Sequence, residues 1–139
     1  MRRELEELLL AKYPVLFKGR LDRNSCMYRG IECGDGWFNL IDLASKEIEN
    51  EISSLTKEEQ EQFCYSQIKE KFGVLVIYLE KYNAALSNII SKYTSLSCET
   101  CMHCGKHSGP IPFQASKFNN YIMTLCDSCS IKEKERRCK

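Results

Sequence analysis

Histidine is nearly missing from this chain: His103 and His107 are the only two, and both fall in one cysteine-rich loop. A Cys–His nucleophilic pair has no base to draw on anywhere else, because an activated thiol needs one beside it. Neither sign of charge is in excess. The 20 Lys and Arg against 19 Asp and Glu leave a formal +1, which excludes a polycation that coats nucleic acid unselectively. Long apolar runs are missing too: the longest, VLVIYL, is far short of the roughly 20 residues a membrane helix takes. The opening MRRELEELLL carries two arginines, then three glutamates, and no small-residue cleavage site, so it reads as an amphipathic helix and not as a secretory signal. A cytoplasmic protein with no membrane partner and no small-molecule substrate is expected.

Cysteine, by contrast, is abundant. There are nine, an odd number, and four of them form two C-x-x-C pairs, which argues against a disulfide framework and for metal binding in a reducing compartment. Cys101 and Cys104 with Cys126 and Cys129 make C-x2-C-x21-C-x2-C, close to the spacing of treble-clef and zinc-ribbon modules. A knuckle turns tightly after its second cysteine, and Gly105 stands where that turn needs glycine. The pair CETC instead puts Met102 there, a poor fit for a positive φ. Cys98 is the main rival ligand, exchanging with Cys101 or Cys104, and a Cys3His set using His103 or His107 stays open. Four protein ligands close a tetrahedron, so one structural Zn²⁺ per chain is expected, and not an enzyme. The base-deaminase pattern fails on spacing: Glu99 directly follows Cys98, and no proline precedes Cys126.

Along the chain, Leu5, Leu8 and Leu9 repeat at helical spacing over residues 2–12, and Pro14 marks a break. Residues 13–36 hold four glycines and read mostly as loop. A helix is expected from Asp35, its candidate N-cap, with Trp37, Leu40, Ile41, Ala44, Ile48 and Ile52 as one apolar stripe. Thr56 with Glu59 looks like a capping box. Gly73 divides residues 64–80 into a two-stranded hairpin, and Tyr82, Leu86, Ile89, Ile90 and Tyr93 line a further helix. IPFQ and YIMTL read as short strands around an Asn-Asn turn, and IKEKERRC as a closing helix. The class is α+β: helices with a β-hairpin over residues 1–97, then a zinc-ribbon or treble-clef-like module over 98–139. Residues 1–97 hold enough apolar surface for a core of their own, so zinc is expected to hold the module and not the whole fold. Cys26, Cys33 and Cys64 match no common metal site and read as buried small hydrophobes.

ECGDGWFNLID, QIKEKFGVLVIY, the CxxCGK knuckle and TLCDSC together resemble a family of small bacteriophage-encoded proteins. Its members carry an ECGDGW-helix segment, a QVKEKFGGLRFY-like segment and paired C-terminal knuckles, and the likeness covers roughly residues 13 to 129. Val74 replaces a second glycine, and Cys98 is additional. The resemblance implies a source and an architecture, but no reaction. Two readings follow. In the first, a phage-type accessory protein binds a host bacterial protein stoichiometrically and inhibits a defence system such as CRISPR, with Asp35 and Trp37 as candidate contacts. The alternative is a small zinc-ribbon nucleic-acid binder or transcription regulator resting on Arg136 and Arg137. Residues 98–139 sum to +3, but the basic tail is interleaved with Glu133 and Glu135, so nucleic-acid binding through it should be weak.

Overall fold

A computed structural model describes all 139 residues. The N-terminal helix α1 (Arg3–Lys12) ends at Tyr13 and leads into a loop tightened by three short 3-10 turns. Helices α2 (Phe38–Ile52) and α3 (Lys57–Glu61) follow, then strands β1 (Tyr65–Lys71) and β2 (Val74–Leu79), then α4 (Ala84–Ser97). The chain closes with β3 (Ser116–Phe118), β4 (Tyr121–Met123) and α5 (Asp127–Arg137). Two separate two-stranded antiparallel sheets, β1–β2 and β3–β4, among helices make the class α+β. No helix is long and apolar enough to cross a membrane.

Local chemistry explains most of these boundaries. Thr56 accepts from the Glu59 N–H while Glu59 accepts from the Thr56 N–H, which starts α3. Asn83 accepts from the Leu86 N–H at the head of α4. The β1–β2 turn places Phe72 (φ 52) and Gly73 (φ 84) in the left-handed region, as a two-residue hairpin turn requires. Asn119 (φ 53) does the same between β3 and β4. The IPFQ segment forms no strand; pairing starts later, at Ser116 opposite Met123. Asp35 does not cap α2. It opens a 3-10 turn, and its carboxylate accepts instead from the Arg2 backbone N–H (2.7 Å) and Arg2 Nε (2.5 Å).

The packing runs without a break across residue 97. One cluster of buried residues joins Leu9, Phe17, Trp37, Ile41 and Ile48 to Cys101, Met102, Phe118, Leu125 and Cys126. Polar contacts cross at the same place. Trp37 Nε1 donates to the Thr100 carbonyl (2.9 Å), and Thr124 Oγ1 to the Gly73 carbonyl (2.6 Å). Both join a buried group to a partner far away in sequence, so the C-terminal segment is docked on the rest and not merely tethered to it.

Candidate metal centre

The first pair of cysteines sits on a turn shaped by Gly105, whose φ of 77 few other residues tolerate. The Gly105 N–H donates to the Cys101 carbonyl, and the Cys101 N–H to the Lys106 carbonyl, both at 2.9 Å. The Lys106 N–H turns toward the Cys104 sulfur. Cys126 is the N-cap of α5, so Cys129 lies in its first turn and directs its N–H at the Cys126 sulfur. The Ser128 hydroxyl stands 3.3 Å from the same sulfur. A helix N-terminus and donors aimed at sulfur both favour thiolate over thiol.

These two elements bring the Sγ atoms of Cys101, Cys104, Cys126 and Cys129 within 4.8 Å of one another. Cys104 and Cys126 approach to 3.7 Å. Metal–sulfur bonds of about 2.3 Å in a tetrahedron put sulfurs about 3.8 Å apart, so the cluster fits a bound metal ion. Cys101 and Cys126 are buried, while Cys104 faces solvent. Burial pushes the Cys126 thiol up, but the Ser128 hydroxyl, the Cys129 N–H and the Cys129 and Cys104 thiols bring it down to about 6. Burial, then the Cys101 and Cys126 thiols, push Cys104 up, and burial, then the Cys126, Cys104 and Cys101 thiols, push Cys129 up. One thiolate thus forms readily and opposes the next, and a cation among the four sulfurs removes that opposition.

Comparison with protein-family models, with curated proteins and with solved structures finds no match.

The rival ligands lie elsewhere. Cys98 ends α4 and directs its thiol at the Thr94 carbonyl (3.9 Å). His107 Nε2 is 3.2 Å from Glu99, and its Nδ1 accepts from the Gly109 N–H; His103 is exposed. Cys26 is exposed, Cys33 and Cys64 are buried free thiols, and burial raises the Cys33 thiol to about 12, away from metal-binding thiolate.

The seat of the first knuckle lies in the GDGW stretch, and sequence reasoning did not find it. Ile31–Cys33 run along β1, where the Glu32 N–H donates to Ile68 and the Glu70 N–H to Glu32. The chain then crosses onto the knuckle. The Gly36 N–H donates to the Met102 carbonyl (2.8 Å), and the Met102 N–H to the Thr124 carbonyl (2.9 Å). A Cβ on Gly36 would fall inside contact distance of the Cys101 carbonyl oxygen and 2.5 Å from the Gly105 nitrogen; one on Gly34 would meet the Met102 carbonyl oxygen. Both glycines are there to let two backbones touch. Trp37 follows with no exposed surface, so its part is to tie the Thr100 carbonyl to the core rather than to meet a partner. Only the pattern of two glycines around Asp35, read as a close-approach signal, could have pointed here.

At the other end of the module, Glu133 is buried and binds both arginines of the tail. Hydrogen bonds from Arg136 and then Arg137, against the effect of burial, hold its carboxyl down at about 2. The Arg137 guanidinium lies 5.3 Å from the ring centres of both Phe118 and Tyr121.

Proposed function

We propose that the four cysteines hold one structural zinc ion in a treble-clef-like module, and that the chain is a zinc-stapled, phage-type accessory protein. It acts by stoichiometric binding to a host bacterial protein and inhibits a defence system such as CRISPR. The convergence of four sulfurs within 4.8 Å carries the metal reading. An all-sulfur tetrahedral set suits zinc or iron–sulfur ligation, and four protein ligands leave no position for a reacting water. Knuckle, hairpin, then a helix whose first turn supplies the second pair supports a treble clef over a ribbon. The partner reading rests on the resemblance, the near-neutral charge and an exposed aromatic, Phe72 (73% exposed), at the β1–β2 tip. Such a side chain is the kind of anchor that a protein interface desolvates.

Metal analysis and native mass spectrometry should show one zinc per chain, lost in Cys101→Ser or Cys126→Ser and kept in Cys98→Ser and Cys138→Ser. Iron with visible charge-transfer absorption, or full metal retention in Cys101→Ser with loss in Cys98→Ser, would overturn the metal reading. Co-purification from a bacterial lysate tests the partner: one protein at equal stoichiometry, persisting at 200 mM salt and after nuclease, is expected. Recovery of nucleic acid alone would hand the case to the nucleic-acid reading.

A further inference from the structure

One face of the C-terminal module carries a cationic recess whose lining includes none of the four clustered cysteines. It has a volume of about 260 Å³ and is lined by Lys117, Phe118, Asn119, Lys134, Arg137 and Cys138, with no carboxylate among them. Lys117 and Lys134 are exposed, and neither takes part in any ion pair of the chain. Glu133, beside Lys134 in sequence, is buried and already occupied by Arg136 and Arg137. Lys117 and Lys134, unpaired at one hollow, repel each other, and that repulsion is relieved by an anion from outside. Arg137 adds donors fixed in advance: Glu133 and the rings of Phe118 and Tyr121 hold its guanidinium in place.

Tyr121 decides what kind of anion. Its ring carries Arg137 alongside and is 62% exposed, so it offers a flat aromatic surface next to the recess. The hollow is smaller than the roughly 300–1,000 Å³ of pockets that enclose an organic ligand. It suits a phosphate group and leaves any attached base outside, beside Tyr121. We propose that this face binds single-stranded nucleic acid, with a backbone phosphate held by Lys117, Lys134 and Arg137 and an adjacent base stacked on Tyr121. Basic side chains that track the backbone, combined with aromatic rings that take bases, are how sequence-tolerant single-strand binding works. None of its residues is the Phe72 of the proposed host-protein contact, so either can fail alone. It also differs from the tail reading, because Arg136 faces Glu133 and does not line the recess.

The test is a fluorescence-anisotropy titration of the zinc-loaded full chain with a labelled short oligothymidylate and with a duplex of equal length. Micromolar binding to the single strand is expected at 50 mM salt, weakening about threefold at 200 mM for one phosphate contact. Lys117→Ala with Lys134→Ala should abolish most of it. Tyr121→Ala should weaken it about tenfold and Tyr121→Phe should restore it, as stacking requires. Lys57→Ala, an exposed cation on α3, should change nothing, and all variants should keep their zinc and circular dichroism. Equal affinity for duplex, or indifference to the Tyr121→Ala change, would replace base stacking by plain phosphate attraction and overturn the proposal. So would a loss of binding in Lys57→Ala equal to that in Lys117→Ala.

Discussion

Gly36 illustrates how much a single hydrogen in place of a side chain can decide. Its Cα lies against the knuckle backbone, with the Gly105 nitrogen where a Cβ would need room. Gly36→Ala should therefore cost about 3 kcal/mol by overpacking and speed zinc release to a chromogenic chelator. Gly109 is the comparison: its φ of 83 is left-handed, but nothing lies within 4 Å of its Cβ position. Gly109→Ala should cost only about 1 kcal/mol and leave zinc release unchanged. The four clustered cysteines were legible because their spacing and the glycine after Cys104 are both local. The partner of Gly36 was not, since a backbone-to-backbone contact leaves no complementary side chain to read. Asp35 shows the same limit. Its type and place suit an N-cap, but Arg2, distant in sequence, takes the carboxylate.

Among the elements, the β1–β2 hairpin has the most work to do. Its inner residues Ile68, Leu75, Ile77 and Leu79 are buried in the core, and its turn is gripped by β4 through the Thr124 hydroxyl. Thr124→Val keeps the shape and removes that donor, leaving the buried Gly73 carbonyl without it. A loss of about 1–2 kcal/mol is expected in the denaturant midpoint, with zinc stoichiometry still at one. Gly73 marked this hairpin in the sequence, as Thr56 and Glu59 marked α3. The IPFQ strand misled because β-forming composition cannot say where pairing begins, and β3 takes its register from β4.

For the whole molecule, the buried cluster that passes from Trp37 to Cys101 and Leu125 bears on what the metal stabilises. A zinc ion that held only residues 98–139 would leave Trp37 undisturbed on chelation, yet its indole N–H is bonded to Thr100, next to Cys101. Removal of zinc should therefore shift Trp37 emission to longer wavelength. Unfolding followed by Trp37 and by metal release should give coincident transitions. Two separated transitions, with native-like emission persisting after chelation, would show residues 1–97 to be an autonomous unit.

The ligands and the seat beneath them also differ in how far apart they lie along the chain. Cys104 and Cys126 are 22 positions apart, whereas Trp37 and Thr100 are 63 apart. Closing the longer loop costs about 1 kcal/mol more chain entropy, and closure of long loops is also the slower event. Metal capture can therefore run ahead of docking. Zinc added before refolding would be gripped early by a short, still mobile loop, and the knuckle would then settle onto Gly34 and Gly36 as a finished piece. Zinc withheld until the end would have to enter a segment already pressed against the core. The timing of metal supply, and not only its amount, should set the yield of native protein.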